Sequence, residues 1–481
     1  MPVYSDHHVT RIWKDKDAGS STGNLIASLF WGDELRSAEV EGDFTRVVLA
    51  GGEAGWVKGA LRTRPQPTLG LAFIDVGQGD ACLITTPDGR RVLVDGGENQ
   101  MAARYIAKRY WSETASGTDV VFDAIVVTHG DADHFRGLVE LVDAAKETRD
   151  FKRIRVLAKR VFHNGIVKRR AAAADGTKRP DAALLGNTFR STDGTLLLSD
   201  LVDDPRSVPR EEANQHFQKW ADALSELAAR FPSMIVKKLD SSCRDAFDFC
   251  NSVTFEVLGP RLTTASPAGE GLVMLSDDPG SAPSSSATIN GHSVVLRLVF
   301  GRVKVLLTGD LTHAGAENLV ALARDGKIDL QSEILKVPHH GSDDVSADFL
   351  RQVAPVLSVI SAGDEDARRD YLHPRANVVG LLGKVGRCDE PLIFVTNLSA
   401  FDKWKGPAFK AVEDKDGKSV PDIAAGTFYA RERTTYGIVH VRTDGESVFV
   451  ARHSARKDRR EAYVFAVNPD GKATRQNLDV I

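Results

Sequence analysis

Short apolar runs, each closed by Gly, Asp, Asn or Pro, recur along most of the chain. Leu71-Ala72-Phe73-Ile74, Cys82-Leu83-Ile84, Val92-Leu93-Val94 and Ala124-Ile125-Val126-Val127 form one series. Thr254–Leu258, Ser293–Val299, Val303–Leu307, Glu333–Pro338, Val356–Ser361 and Ile393–Asn397 form a second. Runs of this length and β-branched content read as buried strands. Between them lie segments of helical period: Ala102 to Trp111, a helix opening at Gly137-Leu138-Val139, and the stripe Phe217, Trp220, Leu224, Leu227. Strands and helices in alternation predict an α/β fold. Residues 1–65 differ. Strand-like runs Leu25–Phe30 and Arg46–Leu49 are separated by Gly turns at Gly23, Gly32, Gly42 and Gly51-Gly52, which predicts a small all-β barrel domain. Arg62-Thr63-Arg64-Pro65-Gln66-Pro67 reads as a linker. Near the C-terminus, Tyr436–Val441 and Ser447–Ala451 read as a hairpin around Asp444-Gly445.

Composition sets bounds on this picture. At 481 residues, two or three domains are expected. A chain 42% hydrophobic and 27% charged suits a soluble globular protein. The net charge of −4 implies no global attraction to nucleic acid or membrane. No apolar run approaches the ~18 residues of a membrane span, and the N-terminus lacks the layout of a signal peptide. Cys82, Cys243, Cys250 and Cys388 are few and scattered, so a reducing, cytoplasmic setting is expected. One local bias stands out. Lys152, Arg153, Arg155, Lys159, Arg160, Lys168, Arg169, Arg170, Lys178 and Arg179 share their stretch with a single acid, Asp175. This is either a nucleic-acid-binding surface or a solvated face. His163, inside the run, is either a further site residue or a structural one. Gly269 to Ser286, rich in Ser, Gly, Pro and Asp, reads as a loop at the edge of a cleft.

The chemistry concentrates in Thr128-His129-Gly130-Asp131-Ala132-Asp133-His134. It follows an apolar strand and precedes a helix, where open α/β sheets place their ligands. Imidazoles and carboxylates at this density fit a metal; the alternative is a polar loop with helix-capping Asp residues. The motif His-x-Asp-x-Asp-His resembles the signature loop of the metallo-β-lactamase superfamily. Further phrases are similar to the hydrolase domain of ComEC-type competence proteins: Asp75-Val76-Gly77-Gln78-Gly79-Asp80, the strand ending Asp95-Gly96-Gly97, Thr308-Gly309-Asp310, and Leu335-Lys336-Val337-Pro338-His339-His340-Gly341-Ser342. Tyr371-Leu372-His373-Pro374 resembles the family's Gly-His-Pro, with Leu372 in place of Gly.

The resemblance implies an αββα sandwich over residues 70–400 with an insert at about 146–250, followed by a β-rich extension over 401–481. It implies two divalent ions, Zn²⁺ or Mn²⁺, held by His129, Asp131, Asp133, His134, Asp310 and His339. Asp133, His340 and His373 would serve catalysis; from the basic run, outside the family motifs, Lys168, Arg169, Arg170 and His163 are the candidates to meet the substrate. Asp75, Asp80 and Asp95 read as turn or supporting residues. His292 is not assigned. The function so implied is a two-metal phosphodiesterase or nuclease on DNA. The alternatives are a small-substrate hydrolase (lactonase, cyclic-nucleotide or phosphocholine esterase) and a non-catalytic binding subunit. Gly55-Trp56-Val57-Lys58 is similar to the end of bacterial SH3-like barrels, so the N-terminal unit is either a binding module for a protein partner or a packing partner of the main domain.

Overall fold

A computed structural model describes residues 3–481 except 17–23, 50–51, 174, 267–268, 279, 364–372, 399–403, 408–411, 414–418, 421–428, 432–434 and 454–460; of side chains in 398–436 nothing is described. Tyr371 and Leu372 therefore lie outside the described residues.

Two sheets face each other, and the alternation of side chains along each strand builds three apolar layers. In strand Ala124–Val127, Ala124 and Val126 point into the space between the sheets, among Phe73, Val94, Phe162, Phe255, Leu296 and Val305. Ile125 and Val127 point the other way, against Phe135, Leu138 and Leu141 of helix Ala132–Asp143 and Trp220 of helix Gln215–Arg230. The second sheet does the same: Val305 and Leu307 face inward, while Leu306 meets Leu319, Phe349 and Leu382 on its helices. The result is a helix–sheet–sheet–helix sandwich.

The first sheet runs Ile235–Lys238, Arg160–His163, Ala124–Val127, Arg91–Val94, Cys82–Thr85, Leu69–Phe73, Ile438–Thr443, Ser447–His453, Ala462–Val467, Ala473–Gln476. Its first four strands are parallel. The second runs Thr254–Gly259, Val295–Phe300, Val303–Leu307, Ile334–Lys336, Leu357–Ile360, Leu392–Val395, parallel from Val303–Leu307 onward. The parallel strands of both sheets end on the same side, and their C-terminal loops carry the chemistry.

Three segments differ from their sequence reading. Strands 438–476 are the continuation of the first sheet, where Ile438–Thr443 pairs Leu69–Phe73; without them Leu69–Phe73, buried throughout, would present an unpaired edge. The stretch expected as an insert supplies two strands of that sheet and the helix that covers it. Gly269–Val273 is a strand pairing Thr263–Ala265, where a loop is expected. The N-terminal unit is a seven-stranded antiparallel sheet around Ile12, Leu35, Val47 and Val57. Val9, Phe30 and Trp31 pack it against Phe449, Ala451 and Val464, and Asp33 pairs with Arg442 at 2.8 Å. Among the described residues, no helix is long and apolar enough to cross a membrane.

Candidate metal centre

Strand Ala124–Val127 delivers His129 and stops where helix Ala132–Asp143 begins. Asp131 occupies the helix N-cap with extended backbone, yet its side chain caps nothing; the carboxylate points instead to Lys168 Nζ, 3.4 Å away. That disposes of the capping explanation for the loop's acids. Asp133 and His134 follow in the first helical turn. On the opposite sheet, Val303–Leu307 runs into Thr308, whose hydroxyl donates to Lys336 O at 2.8 Å. Gly309 then turns the chain with φ +51°, pressed against Thr128, and Asp310 enters the space between the sheets.

Asp133, His134, Asp310 and His340 offer ligand atoms that all lie within 4.8 Å of one another. Asp310 Oδ2 is 3.2 Å from His134 Nε2, 3.0 Å from His340 Nε2 and 4.0 Å from His129 Nε2. The three imidazole Nε2 atoms and Asp310 Oδ1 are buried without an aligned hydrogen-bond partner. The other ring nitrogens explain why. His134 Nδ1 donates to Asp95 Oδ2 at 2.9 Å. His340 Nδ1 donates to Ser361 O at 2.9 Å. His129 Nδ1 lies 3.2 Å from Thr128 Oγ1 and 3.3 Å from Ser293 Oγ. Both hydroxyl protons are already committed, Thr128 to Asp95 and Ser293 to Asn290 O, so His129 Nδ1 must be the donor. Every imidazole thus donates from Nδ1 and turns Nε2 inward, so Nε2 is the atom each would offer a metal in place of a proton.

The charges agree. Burial works to raise the Asp310 carboxyl, but the His340 and His134 imidazoles outweigh it and hold it well below the usual carboxylate range. Burial works to lower His134, yet Asp310, Asp95 and Asp133 carry it well above the ordinary imidazole value; His340 is raised likewise against burial, first by Asp310. So much buried negative charge calls for a cation. These residues fit a divalent ion.

Beneath the quartet, Lys336 is buried, donates to Gly309 O at 2.9 Å, pairs closely with Asp80 and lies 3.6 Å from Asp310 Oδ1. Asp95 and Asp80 form with His134 a second group of closely spaced ligand atoms. Lys336 escapes sequence reasoning, although a lysine in an otherwise apolar strand is a legible signal.

His339 and His340 are placed the other way round from the sequence expectation. Both adopt left-handed backbone, φ +47° and +53°, so the side-chain alternation of an extended segment does not apply. The turn buries His340 in the quartet and leaves His339 partly exposed on the cleft wall, its Nδ1 3.9 Å from Asp344 Oδ2. His373 also lines the cleft, and its ring centroid is 6.3 Å from that of His339. The substrate residues scatter. His163 is buried, with Nε2 donating to Asp203 O and Nδ1 accepting from Gly165 N, so it has no nitrogen left for a ligand. Arg169 is buried between Asp200 and Glu212. Arg170 is exposed and donates to Ala213 O. Of the four, Lys168 alone reaches the centre. Much of the basic stretch is spent on acids of the chain itself, as in Arg153–Asp150, Arg155–Asp119 and Lys159–Asp123.

The cleft above the quartet holds about 350 Å³. Its wall is acidic: Glu98, Asp131, Asp277 and Asp344 join Asp133, Asp310 and His340 there, with Gln78, Asn290 and Thr312.

Residues 74–201 match the profile of the metallo-β-lactamase superfamily. Competence protein ComA of Neisseria gonorrhoeae is 43% identical over 88 residues, 18% of this chain and 12% of that protein. ComE operon protein 3 of Bacillus subtilis (strain 168) is 35% identical over 97 residues, 20% and 12% of the two chains. Recombination protein 2 of Haemophilus influenzae is 43% identical over 76 residues, 15% and 9%. The chain thus matches about a tenth of the length of these relatives. Among solved structures, a point mutant of the CmlA β-hydroxylase is 11% identical with a TM-score of 0.29, over 69% of this chain and 53% of that one. A long form RNase Z from yeast is 12% identical with a TM-score of 0.22, over 63% and 40%.

Proposed function

We propose that this chain, whose residues 74–201 match the profile of the metallo-β-lactamase superfamily, is a divalent-metal-dependent phosphodiesterase acting on nucleic acid, with DNA as the favoured substrate. The observation that carries the reading is the quartet Asp133, His134, Asp310 and His340, whose ligand atoms all lie within 4.8 Å of one another, with His134 Nε2, His340 Nε2 and Asp310 Oδ1 buried and without an aligned hydrogen-bond partner. Asp133, His134, Asp310 and His340 would hold one ion, and His129 and Asp131 would serve a second. The mixed imidazole and carboxylate set suits Zn²⁺ or Mn²⁺. A divalent ion there supplies Lewis acidity and positive charge for an anionic transition state.

The chain's own residues supply the rest. Asp95 and Ser361 O fix the tautomers of His134 and His340. Gln78 Nε2, 3.4 Å from Asp133 Oδ2, steadies that carboxylate. Burial and the nearby His340 and His339 hold His373 down at about 4, so it enters neutral and serves as a hydrogen-bonding wall. His339, on the rim beside Asp344, would hand a proton to a leaving oxygen. Support for DNA comes from the competence and recombination proteins the chain resembles.

The acidic wall and the internally paired basic stretch favour a second reading, a small ester or lactone substrate. A panel of single- and double-stranded DNA, RNA, bis(p-nitrophenyl) phosphate and a lactone, run with and without chelator, separates the two. Metal-dependent cleavage of DNA supports the first reading. Turnover of the lactone alone supports the second, and no turnover of any substrate in the metal-loaded protein contradicts both.

A further inference from the structure

The two halves of the centre are not equivalent. One half has four convergent ligands. The other has His129, Asp131 and the shared Asp310. His292, beside the Ser293 that lies against His129, is turned away from that half, its Nε2 donating to Val273 O at 2.7 Å. Asp131 already has a cation: Lys168 Nζ at 3.4 Å. Lys168 is not there by chance of a long side chain. Ile166 and Val167 before it are buried, and Arg169 after it is locked between Asp200 and Glu212. Its backbone carbonyl accepts from Asn214 N at 3.1 Å, and Asn164, at the start of the same loop, donates to His292 O at 3.1 Å. The loop is pinned on both sides, and the free end of Lys168 is aimed at the second ion's carboxylate.

We propose that Lys168 is a built-in substitute for the second ion. It neutralises Asp131 in the resting protein, so the quartet fills first and the other half accepts an ion only by displacing the ammonium. Lys168, 30% exposed where it pairs with Asp131, is once displaced free to meet an anionic substrate. The inference rests on the reading of the quartet as a metal centre.

The test is a metal titration of the full-length protein, stripped with chelator and followed by equilibrium dialysis with elemental analysis, using Zn²⁺ and Mn²⁺ separately. The wild type should take up one equivalent tightly and the second only at concentrations higher by about 100-fold or more. Lys168→Met should tighten the second equivalent by about 10-fold or more, leaving the first unchanged. Lys168→Gln serves the same end should the Met variant fold poorly, and Lys168→Arg should keep the wild-type asymmetry. Asp131→Asn should abolish the second uptake and spare the first. Two equivalents of equal affinity in the wild type, or an unchanged second affinity in both neutral variants, would overturn the proposal while leaving the metal centre intact. No uptake by the wild type would overturn the metal centre itself.

Discussion

Asp95 offers the sharpest internal test, because it acts on the centre through its hydrogen bond to His134. Its carboxylate accepts three hydrogen bonds: Thr128 N at 2.7 Å on Oδ1, and Thr128 Oγ1 at 2.6 Å and His134 Nδ1 at 2.9 Å on Oδ2. It is fully buried. Asp95→Asn preserves the shape but replaces one acceptor oxygen with an NH₂. If the amide oxygen stays at the Oδ2 position, the NH₂ faces Thr128 N–H; if it flips, the NH₂ faces His134 Nδ1–H. Either way one buried donor loses its partner, at about 1–3 kcal/mol. The flipped arrangement also drives His134 to the other tautomer and removes its Nε2 lone pair from the quartet. Loss of such a supporting carboxylate costs about 10–100-fold in metal affinity, or about 1.4–2.8 kcal/mol. Competition against a chromophoric chelator measures the affinity, and denaturant unfolding of the stripped protein measures the fold separately. Affinity within about twofold of wild type, in a variant that folds, would refute the tautomer argument.

Other expectations follow from the same geometry. Lys336→Met leaves Asp80 and Asp310 without their buried counter-charge and should cost about 3–5 kcal/mol in denaturant unfolding; an unchanged midpoint would show that water or a metal already compensates them. Burial holds His292 down at about 4, so below the ordinary imidazole pKa the unfolded chain binds a proton that the folded chain refuses. Stability from this group is therefore complete above about pH 6.5 and falls as pH drops towards 4, by about 3 kcal/mol at most; His292→Gln should flatten that acid limb, and parallel unfolding curves for the two proteins at both pH values would contradict the assignment. A Cβ on Gly137 would lie 1.8 Å from Gly96 O, so Gly137→Ala should push the metal-bearing helix off its loop and cost about 1–3 kcal/mol or more, read as a lowered melting temperature.

What could be read without the structure depended on how locally each feature is encoded. The loop 128–134 was legible because its ligand types are neighbours in sequence and sit at a strand-to-helix junction. Asp310 was legible because Thr-Gly-Asp ends an apolar strand. The exchange of His339 and His340 was not, since alternation assumes extended backbone and two successive left-handed residues break it. The basic run left two readings open for a related reason. A count of charges does not show that Asp200 and Glu212, distant along the chain, fold back onto Arg169. Likewise, nothing local tells Ile438–Thr443 that its partner is Leu69–Phe73. Short-range chemistry is written in short-range sequence, whereas pairing between remote segments is decided by which edges and charges the fold leaves open.

The central claim is that His340, with Asp133, His134 and Asp310, holds the metal while His339 belongs to the cleft wall. Elemental analysis of metal-loaded wild type, His340→Ala and His339→Ala, each desalted in parallel, tests it directly. The account predicts that His340→Ala loses the tightly held ion and that His339→Ala retains it at the wild-type ratio. Retention by His340→Ala together with loss by His339→Ala would contradict it.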